Sequence, residues 1–371
     1  MNLKIFESLF RTHFLLTQFI NLYYRCCNNL PKNQLTPHLF FDVLKYMNNQ
    51  KVFITILNWN GKRDTLTCLS SLQQCTYSNQ EIVVVDNGSS DDSVKQIKSL
   101  HPSVTLIETG QNLGYAEGNN VGIRYALEQH ADYVLLLNND TTVAPDFLEQ
   151  LVLAAQQHPD TGVFGATLFY MDEPDTVWFA GAKWNSQTLN FDYSHQDQKL
   201  PENINIETDY ACGAALFFRS EVAKSIGLLD DRFFLVWEES DWCLRATRAG
   251  YGCIMVPSAN VWHKVGASFD GENSPLRQYF SYRNRLLWAE KNLSLKDLLY
   301  LIKDSSKAFY PKFTVSQAVN APLIKRFIWA FNEWRTTWLS PILKAKRRGT
   351  IDYIFRKFGD CPESIRKLNN G

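Results

Sequence analysis

Short apolar runs that break off on small polar residues recur through the first half of this chain. Val52–Leu57 is β-branched and apolar, and it ends on Asn58-Trp59-Asn60-Gly61. Glu81–Val85 ends on Asp86-Asn87-Gly88-Ser89-Ser90, and Leu135–Leu137 ends on Asn138-Asn139-Asp140. Runs of this length, bounded by turn residues, predict buried strands, with another at Val104–Glu108. Between them the spacing predicts helices. Leu66, Leu69 and Leu72 share one face, Asp92–Leu100 follows a capping Ser90 or Asp91, and Asn119–His130 precedes a fourth strand at Tyr133–Leu137. Strands separated by helices require crossover connections, so the fold class is α/β with a Rossmann-like, mainly parallel sheet flanked by helices. The carboxyl ends of such strands emerge at one edge, where ligands bind.

Beyond about residue 160 the pattern changes. Val163–Tyr170, Thr176–Ala180 and Ala214–Arg219 read as strands, and a polar loop spans Asp192–Asn205. A helix over Glu239–Ala249 stops at Gly250, a normal C-terminal signal. From Pro275 onward the chain reads as helical. Residues 1–50 lack the alternation and are read as an N-terminal extension, with Met47 as a second candidate start just before the regular part.

Composition narrows the classes. Of 371 residues, 45% are hydrophobic and 20% charged, an ordinary globular balance. Lys plus Arg equals Asp plus Glu at 38 each, which argues against a nucleic-acid partner. Aromatics at 13% suit surfaces that stack on sugars or sit at a membrane interface. The eight cysteines form no CxxC pair and no zinc spacing, as in a reduced cytoplasmic protein. Phe14–Tyr24 is broken by Gln18 and Asn21 and lacks a cleavage site, so no signal peptide is read, and no run is long enough for a membrane span.

The strand-end loops carry the candidate chemistry. Asn58, Trp59 and Asn60 offer an aromatic face and amides for a base or ribose. Asp86 can accept from a pyrimidine N–H or a ribose hydroxyl, with Asn87 and Ser89 beside it, and Gly88 lets backbone approach a ligand. Asn112–Asn120 is a glycine-punctuated loop opening a helix, which predicts N–H donors from Asn112, Gly114 and Asn120, although GxGxxG is absent. Asp140, with Asn138 and Asn139, suits a divalent cation or a phosphate-bearing ligand. Glu238, Glu239 and Asp241 open a helix whose dipole favours negative charge. Asp241 is also spaced to pair with Arg245, whereas the apolar stretch Phe233–Trp237 would raise the pKa of Glu238 or Glu239 toward that of a general base. His263 could join Asp140 on a metal: Mg²⁺ prefers oxygen, and Mn²⁺ accepts nitrogen more readily.

Taken together and in this order, these motifs resemble family 2 glycosyltransferases. The resemblance is closest to the rhamnosyltransferase-like branch that builds bacterial surface polysaccharides, and it covers roughly residues 50–290. It continues through Phe233-Phe234, Glu238–Arg245 and Arg248-Ala249-Gly250-Tyr251. It implies a GT-A fold and inverting transfer from a nucleoside-diphosphate sugar, dTDP- or UDP-linked and with rhamnose as one candidate, to a glycan or polyprenyl-linked acceptor. Residues 51–160 would then bind the nucleotide sugar, and 161–290 would hold the acceptor and catalytic groups. Residues 291–371 would form a helical C-terminal region. Asn138-Asn139-Asp140 takes the place of the family's DxD motif, and Asp140 and His263 would hold Mg²⁺ or Mn²⁺. Glu239 falls where many relatives carry the Asp of a Glu-Asp pair, the base. Asn138 departs from the family by lacking the first carboxylate. Arg283, in Ser281-Tyr282-Arg283-Asn284, would contact phosphate, and Trp237 and Gly213 fall to the acceptor side. Phe327–Phe331, Trp334 and Trp338, interleaved with Lys325, Arg335 and Lys344, suit either an anionic membrane surface on the cytoplasmic side or a packed helical cap. Two other readings are a sugar nucleotidyltransferase, whose basic phosphate loop Asn58–Gly61 does not resemble, and a non-catalytic sugar-nucleotide-binding scaffold.

Overall fold

The computed structural model describes residues 50–197, 206–266, 271, 274–310 and 323–369. The proposed N-terminal extension and part of the loop after Asp192 lie outside them. The first half supplies β1 (Val52–Asn58), α1 (Lys62–Leu72), β2 (Gln80–Asp86), α2 (Ser93–Leu100), β3 (Thr105–Glu108), α3 (Gly114–Glu128) and β4 (Tyr133–Asn138). Next come β5 (Thr141–Val143), α4 (Phe147–Gln157), β6 (Thr161–Tyr170), β7 (Val177–Phe179), β8 (Ala182–Asn185) and β9 (Asn190–Tyr193). They lead to β10 (Ile206–Glu207), β11 (Ala215–Arg219), α5 (Ser220–Ile226), α6 (Glu238–Arg248) and β12 (Gly252–His263). Helices α7 (Pro275–Asn292), α8 (Leu295–Ser306), α9 (Leu323–Leu339), α10 (Pro341–Ile354) and α11 (Glu363–Asn369) finish the chain.

The main sheet runs β10-β12-β6-β11-β4-β1-β2-β3. β1 is parallel to β2 and β4, and β2 is parallel to β3, so their carboxyl ends share one edge as the pattern predicts. β11 reverses direction at the centre, antiparallel to both β4 and β6. Val52–Ile54, Val83–Val85 and Val134–Leu137 are buried without a break, the signature of strands covered on both faces. β12 pairs with β6 in parallel, and its register shifts between Val256 and Asn260, where Pro257 has no N–H to give the ladder.

One predicted boundary is wrong. Helix α3 begins at Gly114 rather than Asn119, so the stretch Gly114–Gly118, expected as loop, is helical. Its glycines serve packing. Gly118 and Gly122 face β1, and a Cβ on Gly122 would overlap the Thr55 methyl. Helix α3 therefore lies closer to the sheet than a side chain would permit. Gly122→Val is expected to destabilise the fold by about 1–3 kcal/mol through overpacking, read from the urea midpoint at unchanged slope.

Candidate active site

The carboxyl edge of the parallel strands is stitched into one piece by side chains. Asn139 Nδ2 donates to Thr65 Oγ1 (2.9 Å), whose hydroxyl donates to Asn58 Oδ1 (2.7 Å). Asn58 Nδ2 in turn donates to Asp86 Oδ1 (2.7 Å) and reaches Ser89 Oγ (3.1 Å). Asp86 Oδ2 accepts from the Ser89 amide, and Asn60 Oδ1 accepts from the Ser90 amide. Thus β1, α1, β2 and the β4 end share a single polar relay. Trp59 is exposed at this edge, with the Arg366 guanidinium 5.6 Å from its ring.

Several expected ligand-binding groups are already used inside the protein. Asn58 is fully buried with both ends of its amide satisfied, so it orients Asp86 rather than meeting a ligand. Asn87 is buried and ties the loops together: its Oδ1 accepts from the Leu113 amide, and its Nδ2 donates to the Gly114 carbonyl. Asn120 is buried and clasps Leu229 through that residue's amide and carbonyl. Asn112 Oδ1 caps the Gly114 amide. The Tyr115 and Ala116 amides both donate to the Phe234 carbonyl, so the N-terminus of α3 does not offer the expected free donors. Gly114 has φ +78°, and a Cβ there would collide with Phe234.

A cleft of about 620 Å³ opens beside this edge and brings together Asn138, Asp140, Gly213, Trp237, Glu238, Glu239 and His263. β5 makes this possible. It follows Asp140 directly and pairs with the end of β12, setting His263 opposite Thr141. His263 Nε2 lies 3.1 Å from Asp140 Oδ1, and the Lys264 amide donates to the Asp140 carbonyl (3.0 Å). Asp140 Oδ1 is buried and has no hydrogen-bond partner among the described residues. Asn138 faces the same cleft, its Nδ2 3.5 Å from His263 Nε2, while Asn139 turns away toward Thr65.

On the opposite wall, Glu238 and Glu239 open α6 after a strained approach. Phe234, Val236 and Trp237 all have positive φ, at 62°, 71° and 83°. Such a turn leaves carbonyls without helical or sheet partners, and α7 supplies them. Asn284 Nδ2 reaches the carbonyls of Phe233 (2.8 Å), Leu235 (2.7 Å) and Val236 (2.9 Å), and Arg283 Nη2 donates to Phe233 O (2.8 Å). Arg283 is fully buried and also donates to Gly359 O, so it does not face a phosphate: it holds the backbone of the loop before α6. Asp241 is likewise removed from the candidate base set. It is fully buried beneath the cleft and held by Arg245 (3.1 Å), Lys291 (2.7 Å) and Asn292 (3.1 Å).

The two glutamates remain, and their surroundings separate them. Burial pushes Glu238 well above the usual carboxylate range, and the neighbouring Glu239 charge pushes the same way. Burial raises Glu239 as well, and its own amide, Arg277 and the Gly213 amide act against that rise. Of the two, Glu239 is the one with groups nearby that favour its charged form. Sequence reasoning missed the aromatic and basic remainder of the cleft: Tyr115, Trp178, Phe191, Tyr210, Arg277 and Arg285. Trp178 packs 4.7 Å from the His263 ring, and the Tyr115 hydroxyl donates to Gly213 O (2.6 Å). Only Tyr115 lay inside a motif; the others are brought in by tertiary contacts.

Residues 52–227 match the family model described as Glycosyl transferase family 2. The dTDP-rhamnosyl transferase RfbF of Shigella flexneri is 23% identical over 267 residues, 68% of this chain and 86% of its own. An N-acetylglucosaminyl-diphospho-decaprenol L-rhamnosyltransferase of Mycobacterium tuberculosis is 25% identical over 218 residues, 53% of this chain and 70% of its own. The solved mannosyltransferase PcManGT of Pyrobaculum calidifontis, in complex with GDP-Man and Mn²⁺, superposes with a TM-score of 0.50 at 15% identity. It covers 86% of this chain and 95% of that one, a likeness of fold.

The raised Glu238 carries a pH signature. A carboxyl that binds its proton more tightly folded than unfolded loses native stability as pH rises from the ordinary glutamate pKa to the raised one. Glu238→Gln, neutral throughout, is therefore expected to unfold at higher temperature than wild type at pH 8, by roughly 1–3 kcal/mol. The difference should close near pH 4. Thermal unfolding at both pH values checks it.

Proposed function

We propose that this chain, whose residues 52–227 match the family 2 glycosyltransferase model and whose fold is GT-A-like, transfers a sugar with inversion from a dTDP- or UDP-linked donor to a glycan or polyprenyl-linked acceptor. Rhamnose is the sugar we favour, from the relatives' activities, and synthesis of a cell-surface polysaccharide is the setting they suggest. The observation that carries the reading is the cleft with the Asp140–His263 pair on one wall and the Glu238–Glu239 pair on the other. A transferase needs a leaving-group end and a base end, and these two walls supply one each.

The donor would lie along the carboxyl edge, with Asp86, Trp59, Asn60 and Ser89 toward the base and ribose and Asn138 and Asp140 toward the diphosphate. Glu239 takes the proton from an acceptor hydroxyl as its oxygen forms a bond to the anomeric carbon. The bond from that carbon to the diphosphate oxygen breaks, and its electron pair leaves with the nucleoside diphosphate. Attack from the far face inverts the configuration. Glu238, its pKa raised by burial and by its neighbour, would in its neutral form spare Glu239 a second buried negative charge. Trp237 and Gly213 flank the acceptor hydroxyl.

Asp140 and His263 fit a divalent cation. A buried carboxylate oxygen without a hydrogen bond faces an imidazole nitrogen, with the Asn138 amide beside them. Among the described residues no group of three or more His, Cys, Asp or Glu side chains converges, so diphosphate oxygens would complete the shell. A bound Mn²⁺ or Mg²⁺ would neutralise charge on the departing diphosphate, and the nitrogen ligand favours Mn²⁺. Glu239→Gln is expected to lower transfer about 10²–10⁴-fold while donor affinity by calorimetry is unchanged. An undiminished rate would move the base to Glu238, and a wild-type protein that binds donor without transferring to any acceptor would favour a scaffold.

The lipid-linked acceptor implies a membrane contact, and we assign it to α9. No helix among the described residues is long and apolar enough to cross a membrane. Yet Ile324, Phe327, Ile328, Phe331, Trp334 and Trp338 recur at helical spacing on α9 and are 44–71% exposed. Exposed Lys325 and Arg335 lie on the same helix. An apolar ridge with basic residues beside it suits the headgroup boundary of an anionic bilayer. The base of α9 is held by Arg347, which donates to Thr337 O and Trp338 O. Wild-type protein should sediment with vesicles containing phosphatidylglycerol, less so at high salt, and Phe327→Ser with Phe331→Ser should weaken this at least about tenfold. Equal sedimentation by the double variant would exclude the ridge.

A further inference from the structure

A second cleft, about 510 Å³, lies on the acceptor half away from Asp140 and Glu239. Its inner wall is apolar and aromatic: Trp184 of β8, Phe191 of β9 and Trp288 of α7, with Leu244 and Leu293. Trp184 and Trp288 are in ring contact at 4.6 Å, and Phe191 packs against both at 5.1 and 5.7 Å. Its rim carries Lys183, Glu207, Asp209 and Arg248, two cations and two carboxylates. Lys183 Nζ and Asp209 Oδ1 stand 3.3 Å apart at the surface, and Arg248 Nη1 donates to Asn292 Oδ1 (2.7 Å).

Two observations constrain what such a cleft can hold. The charges on the rim balance, so neither a nucleotide, a phosphate nor a cation is favoured there. The rim nonetheless offers both donors and acceptors close together, above an aromatic wall. A neutral ligand with an apolar face and a periphery of hydroxyls meets both conditions. That is the chemistry of a pyranose ring.

The cleft also adjoins the catalytic one. Phe191 lines both, and its ring lies 6.0 Å from that of Trp237, the residue just before Glu238. Trp288 lies 5.5 Å from the same Trp237 ring. An aromatic wall of Trp184, Phe191, Trp288 and Trp237 therefore runs from the second cleft to the start of α6.

We propose that this second cleft is an accessory saccharide site that holds a sugar unit of the acceptor remote from the reacting hydroxyl. The assignment to the acceptor rests on the transferase reading, whereas saccharide binding itself does not. The full chain is titrated with methyl α-L-rhamnopyranoside, methyl α-D-glucopyranoside and N,N′-diacetylchitobiose, read by saturation-transfer NMR and by tryptophan fluorescence. At least one sugar is expected to bind. Trp184→Ala and Asp209→Ala should each weaken it about tenfold or more, while Glu239→Gln should leave it unchanged. Circular dichroism and nucleotide affinity unaltered in the first two variants exclude misfolding as the cause. Binding by none of the three sugars, or binding lost with Glu239→Gln and kept with Trp184→Ala, overturns the site. In transfer assays Trp184→Ala should raise KM for acceptors of three or more units about tenfold without changing that for one-unit acceptors. An equal rise for both overturns the acceptor assignment and leaves saccharide binding to be judged by the titration.

Discussion

The reach of two adjacent side chains on α7 into the loop before α6 holds the Glu238–Glu239 wall of the cleft in place. Asn284 and Arg283 between them satisfy the carbonyls of Phe233, Leu235 and Val236. Without those donors, a run of backbone with positive φ at three non-glycine residues would bury unpaired acceptors, which a folded chain rarely tolerates. The same loop gives the Phe234 carbonyl to the N-terminus of α3. One constraint thus couples the C-terminal helices, the strained turn and the parallel half of the sheet. It also explains why an arginine that looks like a phosphate ligand is spent on the backbone.

With the loop fixed, electrostatics sorts the two glutamates. Both sit at a helix start, where the dipole tolerates one negative charge far better than two in so apolar a wall. Glu238 is 3% exposed and meets no opposing charge, whereas Glu239 feels Arg277 and the Gly213 amide. A shared environment therefore treats the two carboxyls unequally, favouring the charged form more at Glu239 than at Glu238. The Asp140 wall works differently: it sets one carboxylate oxygen, Oδ1, which makes no hydrogen bond among the described residues, 3.1 Å from the His263 imidazole nitrogen.

Much of this was legible in the sequence, and the misses have physical reasons. Buried parallel strands read as apolar runs, so β1, β2 and β4 and their polar endings emerge from pattern alone. Convergence of Asp140 with His263 depends on the three-residue β5 pairing with a strand more than a hundred residues away, which no local periodicity reveals. Asn58, Asn87 and Asn120 were expected to meet a ligand because amides at strand ends suit one. They instead satisfy one another's loops, and a sequence does not say which way an amide turns. The inward course of Arg283 is of the same kind. Asp241 did carry its signal, an i,i+4 arginine, and the structure adds Lys291 and Asn292 to that pair.

The relay from Asn139 through Thr65 and Asn58 to Asp86 and Ser89 has a consequence for how this edge can vary. Each member donates to or accepts from the next, so a replacement at one leaves a partner unsatisfied at another. Contacting residues of one network do not contribute additively. Substitutions here are therefore expected to couple: a change at Thr65 or Asn58 costs less when its hydrogen-bond neighbours change with it. Coordinated sets of substitutions, rather than single ones, would then be needed to reshape the strand ends.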